Sequence, residues 1–115
     1  MSDIATVDAA NFEQEVLQAK GPVLVDFWAP WCPPCRALTP LLEEVARDHG
    51  ENLKIVKCDV DENVELSQSY GVGKIPHLLF FQDGQPVNQA IGYISRAQLH
   101  KCLTEVLGEN TEAVA

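Results

Sequence analysis

Residues 28–36, WAPWCPPCR, constrain this chain more than any other stretch, because they set two cysteines at a junction between two kinds of apolar pattern. Upstream, VLVDFW is apolar enough for a central strand buried on both faces. Downstream, Leu38, Leu41, Leu42 and Val45 recur at helical spacing up to Gly50, with Pro40 inside the helix as a source of a kink. A helix that starts near Cys32 puts Cys32 at its N-cap and Cys35 one turn on, within bonding reach. A sulfur at an N-cap faces unpaired backbone N–H groups and the positive end of the helix dipole, which favour thiolate over thiol. Pro33 and Pro34 have no N–H to offer, so the Cys35 amide is the remaining donor to the Cys32 sulfur. The chemistry this predicts is thiol–disulfide exchange, with an exposed Cys32 attacking and a recessed Cys35 resolving. A static disulfide, or two inert thiols, is the alternative at this level.

Four cysteines in 115 residues give C-x-x-C spacing often enough by chance that the surroundings must carry the argument. The length suits a single domain over 1–115, with ENTEAVA at 109–115 expected to fray. A net charge of −9 argues against a nucleic-acid partner. No run approaches the 18 apolar residues of a membrane span, and the first residues show neither the basic nor the apolar region of a leader. A reducing cytoplasm is the expected compartment, where paired cysteines are more often catalytic or metal-binding than structural.

The remaining segments give an order. IATV is a short apolar run, and DAANFEQEVLQAK a helix capped by Asp8, with Phe12, Val16 and Leu17 inward and Gly21-Pro22 as its stop. LKIVKCDV reads as a strand and ENVELSQSYG as a short helix closed by Gly71. HLLFFQDGQPVNQAIG is a hairpin turning at Asp83-Gly84. SRAQLHKCLTEVLG is a helix with a Ser95/Gln98 capping box and Leu99, Leu103 and Val106 inward. Alternation of this kind predicts an α/β fold: a sheet with helices on both faces, parallel first and ending in a hairpin.

VDFWAPWCPPCR, the KIP segment at 74–76, the DG at 83–84 and Gly92, in that order, make the chain resemble the thioredoxin family from Ile4 to Leu107. The resemblance implies a thioredoxin fold, with a central five-stranded mixed sheet flanked by four helices. It also implies a protein-disulfide reductase, monomeric, acting on oxidised protein substrates and regenerated by thioredoxin reductase or an equivalent electron donor, with no cofactor. Three positions depart from the family's commonest residues. Pro33-Pro34 stands for Gly-Pro, His77 for threonine after the KIP proline, and Lys74 for glycine. These departures bear on redox potential and partner choice. The rivals are a more oxidising thiol oxidase or disulfide isomerase, and a non-catalytic binding module of the same fold.

Asp26, in the middle of an apolar strand, is costly to bury ionised, so its pKa is expected to rise unless it faces solvent or pairs with a lysine. The resemblance makes it the buried acid/base for the resolving thiol, tuned by Lys57. It also makes Pro76 cis, leaving the Ile75 backbone to pair with an extended substrate. Trp31, Ile75, Gly92 and Tyr93 then form the apolar surface around Cys32, while Trp28 packs beneath the loop. Cys58 and Cys102 are expected as small core residues. His49, His77 and His100 have no ligand spacing with the cysteines, so no metal is expected. DVDEN at 59–63 lacks the glycine and terminal glutamate of a calcium loop and is expected to be a solvated turn.

Overall fold

Strand β2 (Pro22–Trp28) forms the middle of the molecule, with Val23 to Phe27 all buried, because the apolar side chains Val23, Leu24, Val25 and Phe27 face both sides of the sheet. The computed structural model describes residues 4–108, so the tail expected to fray lies outside them. Strand β3 (Lys54–Asp59) lies parallel to β2 on one side, and β4 (His77–Gln82) antiparallel on the other. Strand β1 (Ala5–Thr6) flanks β3 in parallel and β5 (Gln85–Ile91) flanks β4 antiparallel, giving a mixed sheet in the order β1-β3-β2-β4-β5.

Because side chains alternate along a strand, each face collects its own core. On one face Leu24, Ile55, Leu78 and Phe80 pack with Leu38 and Leu42 of α1 (Pro33–His49) and with Leu99 and Leu103 of α3 (Arg96–Leu107). On the other, Val25, Phe27, Val56, Leu79 and Phe81 pack with Phe12 and Val16 around a π-helical turn, Glu13–Leu17, and with Leu66 of α2 (Val64–Ser69). This is the thioredoxin-type arrangement expected: among the described residues, a five-stranded mixed sheet between four helices, with a short 3-10 turn (Gly50–Asn52) following α1.

The local signals explain where the elements stop. The Ser95 side chain accepts from the Gln98 N–H at 3.2 Å and the Gln98 side chain accepts from the Ser95 N–H at 2.9 Å, which completes the capping box. Asp83 and Gly84 both have positive φ, at 55° and 80°, as a two-residue type I′ turn requires. Gly84 is also needed for space, since a Cβ there would meet the Leu17 carbonyl oxygen at 2.8 Å. Helix α1 continues through Pro40 and closes where the Gly50 N–H donates to the Ala46 carbonyl.

Two expectations need correction. The first helix is shorter than its apolar spacing suggested, and Asp8 caps the turn ahead of it rather than the helix itself. Asp8 Oδ1 accepts from the Ala10 and Asn11 N–H groups, at 2.9 and 3.0 Å. The Ala9 N–H instead donates to the side chain of Asn63, at 2.9 Å. Residues 8–11 form a turn in which the Asn11 N–H donates to the Asp8 carbonyl, and helical bonding starts as Glu15 N–H to Asn11 carbonyl and closes as Gln18 N–H to Glu13 carbonyl. Cys102 is the second: it is half-buried, packed at the margin of the core against which α3 lies, while Cys58 is fully buried.

Candidate active site

The site lies where β2 ends and α1 begins, at the carboxyl ends of the parallel strands β2 and β3. After Trp28 the chain turns through Ala29–Trp31, and the Cys32 N–H donates to the Ala29 carbonyl at 3.1 Å. Cys32 is the N-cap of α1, with extended backbone (φ −92°, ψ 107°) and prolines in the first two helical positions. Its sulfur accepts from the Cys35 N–H at 3.3 Å, the donor left once the two prolines are discounted. Cys32 and Cys35 are joined as a disulfide, their Cα atoms 5.3 Å apart. The first turn of α1 carries no acidic residue, so nothing there offsets the positive end of a 17-residue helix.

Cys32 is not exposed as expected: it is only 3% accessible, against 0% for Cys35. Both pack with Ala29 against Trp28, Val60 and Ile75, and this wall covers the sulfur of the oxidised pair from most directions. The order of accessibility nevertheless favours Cys32. The Ile75–Pro76 bond is cis, and the Ile75 carbonyl oxygen lies 4.0 Å from the Cys32 sulfur. The Gly92 N–H donates to the Pro76 carbonyl at 2.7 Å, with Gly92 at φ +88°, which ties the end of β5 to this loop.

In β2, Asp26 lies between Leu24 and Trp28 on the α1 face of the sheet. It is 1% accessible, and its Oδ1 has no hydrogen-bond partner among the described residues. Burial pushes its pKa up from an ordinary 3.8 to about 7, opposed by the charge of Lys57, its neighbour in register on β3. Lys57 also covers the indole of Trp28, its ammonium 3.7 Å from the ring centroid, a cation–π contact the sequence did not reveal. Trp28 is thus a packing residue with its indole N–H buried and unpartnered among the described residues.

A strand, a helix start and a cis-proline loop converge here on one disulfide, as the thioredoxin fold would have it. The family described as Thioredoxin matches residues 3–105. Among similar proteins are Thioredoxin 1 of Synechococcus elongatus, 44% identical over 93% of this chain and 100% of its own length. The Thioredoxin of Pseudomonas aeruginosa is 49% identical over 84% of this chain and 89% of its own. That of Alicyclobacillus acidocaldarius is 47% identical over 89% and 96%. The chain belongs to the thioredoxin family. It is therefore a thiol–disulfide oxidoreductase, and its disulfide is redox-active.

Within this thioredoxin-family site the other expected residues separate. Trp31 and Ile75 lie together beside the disulfide, Trp31 63% accessible and its indole N–H donating to Asp61 Oδ2 at 2.5 Å. Tyr93 is exposed but lines a different cleft, with Ala37, Pro40 and Leu41 of α1. The acidic segment 59–63 is more than a solvated turn: Asp61 holds Trp31, and Asn63 is buried. Asn63 accepts from Ala9 and donates to the Asp59 carbonyl at 3.0 Å. His77 is buried against Phe27, with Nε2 2.9 Å from Gln89 Oε1. Burial pushes the Cys58 thiol up to about 11, which makes it a poor nucleophile. The Asp61 and Asn63 contacts cross 30 and 54 positions, so no local sequence signal could have found them.

Proposed function

We propose that the chain is a reductant of protein disulfides in which Cys32 is the nucleophile and Cys35 the resolving thiol. The observation that supports this most is Cys32 at the N-cap of α1, its sulfur accepting from the Cys35 amide and bonded to the Cys35 sulfur. In the reduced protein the Cys32 thiolate attacks one sulfur of a substrate disulfide. That S–S bond breaks, a mixed disulfide forms, and the substrate's other sulfur leaves as thiolate. Cys35, having lost its proton, then displaces the second substrate sulfur and closes the Cys32–Cys35 disulfide, so two electrons pass to the substrate. Asp26 accepts the Cys35 proton, a role suited to a carboxyl with pKa about 7. Lys57 moderates that pKa. Pro33 and Pro34 tune the helix start, and Pro76 holds Ile75 where its carbonyl can pair with an extended substrate. Trp31, Ile75, Gly92 and Tyr93 are the substrate-facing residues of this reading.

A monomer in the cytoplasm, re-reduced by thioredoxin reductase or an equivalent donor, completes the proposal. Among the described residues no helix is long and apolar enough to cross a membrane. The test is reduction of insulin-type disulfides with a chemical dithiol as electron source. The parent protein should accelerate it and Cys32→Ser should not. An inactive parent, or an active Cys32→Ser, would overturn the reading.

A further inference from the structure

Thiol–disulfide exchange needs Cys32 as a thiolate, and α1 holds a positive charge there besides its own dipole. Arg36 follows Cys35 in the helix, and its backbone N–H donates to the Cys32 carbonyl at 3.1 Å. Helical side chains tilt toward the N-terminus. This one folds back along the active-site loop until its guanidinium donates to the Pro30 carbonyl at 3.3 Å. Arg36 therefore spans Cys32, with its backbone on the Cys32 carbonyl and its charge on a carbonyl two residues earlier. Lys54 and Arg96 are paired with Glu15 and Glu44, but among the described residues Arg36 pairs with no carboxylate. Its charge is not cancelled. The other charged groups on the elements that wall the Cys32 sulfur are of both signs. Strand β2 carries Asp26 and β3 carries Lys57, which act on each other. The turn around Val60 carries Asp59, Asp61 and an exposed Glu62. The Asp59 carboxylate accepts from the Asp61 N–H at 2.9 Å, and that of Asp61 from the Trp31 indole. Lys74 stands exposed beside Ile75. The first turn of α1 has no acidic residue, so Arg36 meets no opposing charge there.

We infer that the Arg36 guanidinium, fixed on the Pro30 carbonyl, stabilises the Cys32 thiolate of the reduced protein and so raises the fraction able to attack. The inference rests on the reading that Cys32 is the nucleophile. Arg36 makes no bond to the sulfur; it acts through space, as a fixed charge added to the end of the helix dipole. The side chain is exposed, so water screens the effect and keeps it modest. At roughly 7 Å, about two chain steps, one charge moves a thiol titration by about 0.4 of a pH unit in water and about 0.8 at half that screening.

The test is the pH profile of Cys32 alkylation by iodoacetamide in the reduced protein, read by peptide mass at Cys32. The thiolate sulfur displaces iodide, one C–S bond forming as the C–I bond breaks, so the rate follows the thiolate fraction. At low salt Arg36→Gln should move the midpoint up by about 0.4–0.8 of a pH unit, and slow alkylation about three- to sixfold below it. Arg36→Lys keeps a charge on a long stem and should bring the midpoint most of the way back. Arg47→Gln loses the same charge about 16 Å further along α1 and should leave the midpoint nearly in place. The Arg36→Gln shift should shrink at about 1 M salt, where the Debye length is about 3 Å. Asp26 titrates in the same range in every variant, so the comparison between them removes it. Each midpoint is read within one protein, so a loss of folded material lowers the amplitude and not the midpoint. An unchanged midpoint in Arg36→Gln, an equal shift in Arg36→Lys or Arg47→Gln, or a shift insensitive to salt would overturn the inference while leaving the reductase reading intact. A Cys32 that reacts at no pH in the parent protein would overturn that reading instead.

Discussion

Replacing Asp26 with asparagine should stabilise the protein in a pH-dependent way. Asp26 is 1% accessible and its pKa in the folded protein is about 7, against an ordinary 3.8. Between those two values the folded state holds a proton that the unfolded state has released, so each pH unit lowers stability by about 1.4 kcal/mol. Below the unfolded value the penalty is absent, and above the folded value it is constant. Integration gives about 0.5 kcal/mol at pH 4, about 2 at pH 5.5 and about 4 at pH 7 and above. Asparagine has no such titration, so the stability difference between mutant and parent should grow along that curve, whatever constant offset the amide itself adds. Urea unfolding of the oxidised proteins at pH 4, 5.5, 7 and 8.5 measures it. A difference that stays flat with pH, or grows as pH falls, would refute the claim that Asp26 is a strained buried acid. The same mutant should exchange disulfides more slowly at pH 7, since the proton acceptor for Cys35 is gone.

Cys35→Ser should accumulate mixed disulfides with oxidised proteins, and peptide mass mapping should place every link at Cys32; linkage at Cys58 or Cys102 would contradict the assignment of the nucleophile. Pro33→Gly should keep the fold but shift the redox potential measured against a glutathione series, because glycine adds an N–H near the Cys32 sulfur and loosens the helix start. Equal potentials would show that this dipeptide does not set the poise. Asn63→Ala should cost about 2 kcal/mol in chemical unfolding, since it strands the Ala9 N–H and the Asp59 carbonyl together. A loss under about 0.5 kcal/mol would mean that water replaces both bonds.

Local chemistry by itself determined much of this protein. The strand–cysteine–helix junction, the Cys35 amide as donor, the Asp83-Gly84 turn and the Ser95/Gln98 box each depend on residues within a few positions of one another, so spacing and side-chain type were enough. Asp26 was legible in part for a similar reason, as a carboxylate inside an unbroken apolar strand, while its burial beside Lys57 was decided by the sheet register. The cis bond at Pro76 and the order of the five strands were within reach through resemblance to the thioredoxin family, not through local pattern. What only the tertiary structure decided are the contacts between distant segments. Burial of Cys32 depends on Trp28, Val60 and Ile75 meeting from three elements. The tie between the first turn and the segment after β3 depends on Asn63 meeting the Ala9 amide, the placing of Trp31 on Asp61, and the lysine cover on Trp28 on strand register. Such contacts gain their energy only once the chain has closed on itself, so no window of sequence carries their signal.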